Sequence, residues 1–134
     1  MIQIIPPDIS LYLCRLVRDR IGVQADIRIP DGYDGSKPLV VIRDDGGTQS
    51  NRIMFDRSIG VSVYGYGKDN TKPLYDLAAQ VYANLTDDNL AYMADSPIAA
   101  VIESGCNGIY PVDTDLPCAL YYMTAEYSTV GSWQ

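Results

Sequence analysis

Pro38-Leu-Val-Val-Ile-Arg43, then Asp44-Asp-Gly-Gly-Thr-Gln-Ser-Asn51, then Arg52-Ile-Met-Phe-Asp-Arg-Ser-Ile-Gly-Val-Ser-Val-Tyr-Gly-Tyr66: this stretch decides the fold. Leu39 to Ile42 is apolar at every position, which fits a strand covered on both faces. Asp44 to Asn51 is built of turn residues and exceeds the two-residue hairpin minimum. From Arg52 to Tyr66 the residues alternate. Ile53, Phe55, Ile59, Val61 and Val63 fall on one face, interrupted only by Arg57; Met54, Asp56, Ser58, Gly60, Ser62 and Tyr64 fall on the other. At ~3.3 Å per residue such a strand reaches roughly 45 Å, beyond the usual five or six residues. Its distal half, Arg52 to Arg57, is therefore expected to project past the core, and a projecting hairpin calls for a partner.

Working outward, Gly65-Tyr-Gly-Lys-Asp-Asn70 leads into the next element. Leu74, Leu77, Ala78, Val81, Tyr82 and Leu85 recur at helical spacing. They predict a helix over about Thr71 to Leu85, with Asn70 or Thr71 as cap and Pro73 in its first turn. Upstream, Asp8 can cap a helix over about Ile9 to Arg20, with Ile9, Leu13, Leu16, Val17 and Ile21 on one face and Gly22 as stop. Gln24 to Ile29 reads as a short edge strand. Pro30 to Lys37 reads as a loop. Downstream, a helical turn is expected near Leu90 to Met93. A strand over Ile98 to Ser104 turns Ile98, Ala100 and Ile102 inward, and Cys106 to Pro117 reads as a loop. A last strand from Cys118 to Val130 turns Ala119, Tyr121, Met123, Ala125 and Tyr127 to one side. Gly131 to Gln134 reads as a tail. The order α-β-β-β-α-β-β predicts one α+β domain over residues 1–134: a mainly antiparallel sheet with a long projecting hairpin, packed against two helices.

A chain of 134 residues can bury enough surface to fold unaided. No apolar run approaches the ~18 residues of a membrane span, and the first residues lack a basic segment and cleavage site, so no secretory signal is expected. Cys14, Cys106 and Cys118 are read as reduced, partly buried thiols, with a Cys106–Cys118 bridge left open. The formal net charge of −7 repels nucleic acid, whose affinity comes from Lys and Arg displacing counterions. It leaves room for a protein through which DNA passes without sticking.

The chain has no histidine, which removes the commonest general base and metal ligand. Gly65-Tyr-Gly67 lies between strand and helix, where phosphate loops occur. It lacks the third glycine and a Lys-Ser/Thr pair. A small-ligand site on that loop is the alternative kept beside assembly. Asp44-Asp45 and Asp113/Asp115 could hold calcium, but neither has EF-hand spacing, and turns use the same residues for backbone reasons. Asn84-Leu-Thr86 matches a glycosylation sequon but falls at a predicted helix end. No cofactor is expected. Eleven tyrosines stand against one phenylalanine, a bias that suits either half-buried strands or a protein interface. Arg43, Arg52 and Arg57, with Asp44, Asp45 and Asp56, flank the hairpin turn. They are either a solvated surface or, with Met54, a contact between subunits whose opposite patches meet heterologously.

Several segments together resemble the tail terminator (tail completion) proteins of long-tailed bacteriophages. They are the N-terminal helix, Pro38-Leu-Val-Val-Ile-Arg43, Asp56-Arg-Ser-Ile-Gly-Val-Ser-Val-Tyr64, Asn70-Thr-Lys-Pro-Leu-Tyr-Asp-Leu-Ala-Ala-Gln-Val81, and the loop Tyr110-Pro-Val-Asp-Thr-Asp-Leu-Pro117 before the last strand. The resemblance spans nearly the whole chain and rests on patterns. It implies a non-enzymatic virion protein, assembled in the bacterial cytoplasm and located at the head–tail junction. Such proteins form a hexameric ring that ends tail-tube polymerisation and offers a surface to the head connector, with genomic DNA passing through. Other neck or head–tail joining proteins share this size and fold. The resemblance carries over no residue-level site, and it implies no membrane association.

Overall fold

The computed structural model describes residues 3–133; Met1 and Ile2 of the segment read for a secretory signal, and Gln134 of the predicted tail, lie outside them. The elements are β1 (Ile4–Ile5), α1 (Ile9–Ile21), β2 (Gln24–Asp26), β3 (Leu39–Asp44), β4 (Met54–Gly65), α2 (Lys72–Leu85), β5 (Ile98–Val101), β6 (Asn107–Pro111), β7 (Ala119–Val130) and β8 (Ser132–Trp133), with 3-10 turns at Asp88–Tyr92 and Glu103–Gly105. The chain is α+β, as predicted. The sheet runs β2-β3-β4-β7-β5, with β6 on the same edge of β7 as β5. Pairing is antiparallel except between β2 and β3, which are parallel.

Local chemistry places the helices. Asp8 Oδ1 accepts the Leu11 amide at 3.1 Å, and Gly22 closes α1 in the left-handed conformation. Asn70 Oδ1 accepts the Lys72 amide at the start of α2, while Thr71 makes no side-chain cap. The apolar stripes of both helices meet one face of the sheet. Ile9, Leu13 and Val17 of α1, and Leu74, Ala78 and Val81 of α2, pack on Val40, Ile42, Ile59, Val61, Val63, Met123, Ala125 and Tyr127. Each large apolar side chain fully buried there is worth about 1.5–3 kcal/mol. The Tyr127 hydroxyl donates to the Leu85 carbonyl, so this core tyrosine also fixes the end of α2. On the opposite face Leu39 and Cys118 are buried at one end of the sheet, beneath the Pro30–Lys37 loop, where Tyr33 meets Tyr64 edge-on.

Four sequence expectations need correction. The predicted loop Cys106 to Pro117 contains β6, which pairs with β7 from Asn107↔Thr124 to Pro111↔Tyr121. The predicted tail contains β8, which pairs with β1. In β5 an irregularity between Ile98 and Ala100 leaves Ala100 exposed and turns Val101 to the core instead. The predicted turn Asp44–Asn51 is largely an arm running back along β4: the Asp45 amide donates to Ser58, Ser58 to Gly46, and Asp56 to Thr48. The chain reverses at residues 50–53, where Asn51 Oδ1 accepts the Ile53 and Met54 amides at 3.0 and 2.9 Å. Cys106 and Cys118 are free thiols.

The long strand also differs from expectation in its surroundings. β4 pairs with β7 along its entire length, from Met54↔Val130 to Gly65↔Ala119. Its distal half therefore does not project beyond the sheet. There Met54 to Ser58 are all half-buried, whereas Ile59, Val61 and Val63 are fully buried.

Candidate functional site

The distal hairpin gathers the residues singled out from the sequence onto two faces. On the helix side, Arg57 Nη2 meets Asp44 Oδ2 at 2.8 Å, with both side chains about four-fifths buried at 24% and 21% exposure. Asp44 Oδ1 also accepts the Gly46 amide. The cation that interrupts the apolar row of β4 is thus neutralised within the hairpin, at the rim of the core. On the opposite face Arg43 Nε meets Asp45 Oδ1 at 2.6 Å, and Arg43 reaches the Tyr122 hydroxyl at 3.4 Å. Asp45 holds the Arg43 guanidinium above its usual pKa. Burial raises the Tyr122 phenol, which packs edge-on against Tyr110. Gly60 lies beneath this group, and a side chain there would collide with the Tyr122 hydroxyl and crowd Arg43 and Asp45. Its lack of a Cβ lets the group lie flat on the sheet.

Four of the seven predicted interface residues, Arg43, Asp44, Asp45 and Arg57, therefore pair within the chain. Arg52 is exposed at the reversal, where its carbonyl accepts from Gln49 Nε2 at 3.2 Å. Met54 and Asp56 are half-buried on the face opposite Phe55.

Sequence reasoning missed what lies at the end of the hairpin. β1 and β8 pair there, Ile4↔Trp133 and Ile5↔Ser132. The Gly131 amide donates to the Ile53 carbonyl at 2.8 Å, which ties this terminal ribbon to the reversal. Between them runs an open groove of about 510 Å³ lined by Ile4, Ile53, Val130, Gly131, Ser132 and Trp133. Ile5, Ile53 and Val130 are about two-fifths exposed, and Trp133 is 72% exposed. Two consecutive isoleucines near one end and a tryptophan near the other were the available signal, but nothing local says that they meet.

Gly65 to Gly67 do not line the nearby hollow of about 200 Å³, which begins at Lys68 and includes Thr71, Asp113, Thr114, Cys118 and Tyr121 in its lining. Lys68 Nζ lies 3.2 Å from the Thr114 carbonyl, and Asn70 already serves the first helical amide. The Lys68 ammonium and the first helical amide thus each already have one partner within the chain. Burial raises the Cys118 thiol above its ordinary pKa, which disfavours a thiolate nucleophile there. Among the described residues, no group of three or more Cys, Asp or Glu side chains is placed to share a metal ion. No helix among them is long and apolar enough to cross a membrane. Compared with models of known protein families and with curated proteins, the chain matches none.

Proposed function

We propose that this chain is a ring-forming structural protein of the tail terminator class. In that reading it ends the growth of a phage tail tube and presents a surface to the head connector, with DNA passing through a ring of identical subunits. The proposal rests first on the sequence resemblance. One structural observation supports it: beside the reversal of the long hairpin lies an open apolar groove where β1 and β8 meet. Exposed apolar residues grouped in this way mark a surface that a partner covers. The hairpin's own charges are largely satisfied, so burial of that surface leaves few of them unpaired.

Size-exclusion chromatography with light scattering, followed by electron microscopy, tests the reading. The expected result is a ring, formed by the chain alone at high concentration or on addition of the cognate tail tube protein. A protein that stays monomeric in both conditions overturns it. A chain that binds a head connector but leaves tube length unchanged belongs instead with the neck proteins of similar fold.

A further inference from the structure

Strand β6 carries a chemically labile pair. Of the asparagines at 51, 70, 84, 89 and 107, only Asn107 is followed by glycine. We propose that Asn107 is a site of spontaneous deamidation, converting through a cyclic imide to aspartate and isoaspartate. The Gly108 nitrogen lies 2.9 Å from Asn107 Oδ1, the oxygen bonded directly to the carbon it would attack. Both residues are exposed. Among the described residues β6 pairs with β7 and no other strand; Asn107 and Gly108 sit opposite Thr124 and Met123, and the register shifts directly after them, between Gly108 and Tyr110. Three of the other asparagines have side chains tied elsewhere: Asn51 to Met54, Asn70 to Lys72 and Asn84 to Gln80.

The reaction balances with water alone. Hydroxide removes the Gly108 amide proton, and the nitrogen forms a bond to Asn107 Cγ. The Cγ–Nδ2 bond breaks, and ammonia leaves after taking a proton from water. A water molecule then opens the imide at either carbonyl, giving aspartate or a β-linked isoaspartate. The fold cannot easily replace the glycine. Gly108 has φ +127, and a Cβ there would lie 2.8 Å from the Met123 Cβ, so β7 excludes the side chain that would shield Asn107. Each event adds one negative charge to a chain already at −7. The isoaspartate form also inserts a backbone atom ahead of the Tyr110↔Tyr122 pairing.

The test is incubation of the folded chain at mildly alkaline and mildly acidic pH, followed by peptide mass mapping with electron-based fragmentation. A gain of about one mass unit is expected at Asn107, faster in alkali. It should outpace each other asparagine by roughly tenfold or more, a barrier difference of about 1.4 kcal/mol. Isoaspartate should be present there, also detectable by enzymatic methylation of its carboxylate. The Asn107→Gln variant should lose the acidic species, because its longer side chain closes the ring poorly. An Asn107 that stays intact in the folded chain, while the urea-unfolded chain deamidates, would show that β6 protects it and overturn the proposal. So would aspartate without isoaspartate, or an acidic species that persists in Asn107→Gln.

Discussion

The two halves of β4 share one strand, one partner and one alternating pattern, yet different forces hold them. From Ile59 to Gly65 the inward side chains are dry beneath α1 and α2. From Met54 to Ser58 they are half in water, and directional bonds replace burial. β7 pairs along one edge and the folded-back arm along the other. The Asp44–Arg57 ion pair sits at the junction, and the buried Thr129 hydroxyl donates to the Phe55 carbonyl at 2.7 Å. Alternation reports that a strand has an apolar face, but what covers that face is decided by elements distant in sequence.

The largest expected effect is the sharpest test of this contrast. Ile59→Ala empties a fully buried site and should lower unfolding free energy by about 2–5 kcal/mol. Ile53→Ala, at the reversal that leads into the distal half and 42% exposed, should cost less than about 1 kcal/mol. Urea titration measures both, and equal losses would erase the distinction between the halves.

A pH titration probes the dryness of the proximal half. Cys14 of α1 is 1% exposed; burial, opposed in part by Arg18, raises its pKa from 9.0 to about 11. The raised value means the neutral thiol is favoured by folding. That contribution is complete below pH 9.0 and is lost as pH rises to about 11. At about 1.4 kcal/mol per unit, the loss is of order 2–3 kcal/mol. Cys14→Ala should remove this component, so its stability should decline less steeply than the parent's across that window. Parallel curves would mean that the thiol is not desolvated.

What was legible in the sequence follows the same division. The stripes of both helices, the Asp8 cap and the inward faces of β4 and β7 were readable, because burial imposes a period on the residues that share it. β6 was not readable: Asn-Gly-Ile-Tyr-Pro has glycine and proline where strands disfavour them, and it is a strand because β7 offers an open edge. The arm 45–50 was hidden because its Gly, Thr and Ser are the residues of turns. The pairs at Arg43–Asp45 and Arg57–Asp44 were visible as composition but not as partners, since that depended on where the chain reversed. The groove between β1 and β8 joins residues from opposite ends of the domain, beyond the reach of any local pattern.

The ion pairs give a smaller test of the distal half. In double-mutant cycles, Arg57 with Asp44, mostly shielded from solvent, should couple by about 1 kcal/mol. Arg43, 62% exposed beside Asp45, should couple with it by less than about 0.5 kcal/mol, because water screens it and both residues lie on one short segment. A stronger outer pair would place the hairpin's electrostatic support on the face away from the helices.

The smallest effect on stability should come from the groove, and there the contrast meets function. Trp133 is 72% exposed and Ile53 42% exposed, so the separated chain gains little from burying either. Trp133→Ser and Ile53→Ser should each change its unfolding free energy by no more than about 0.5–1 kcal/mol. If a neighbouring subunit covers the groove, the same changes should weaken self-association far more, because an exposed tryptophan becomes a large buried contact only in the assembly. Sedimentation across a range of concentrations, run beside the urea titration, separates the two effects. Unchanged association with unchanged stability would place the subunit contact elsewhere on the chain. Large loss of stability in the separated chain would show instead that the terminal ribbon is part of the distal hairpin's own support, and that the two halves of β4 are less different than their exposure suggests.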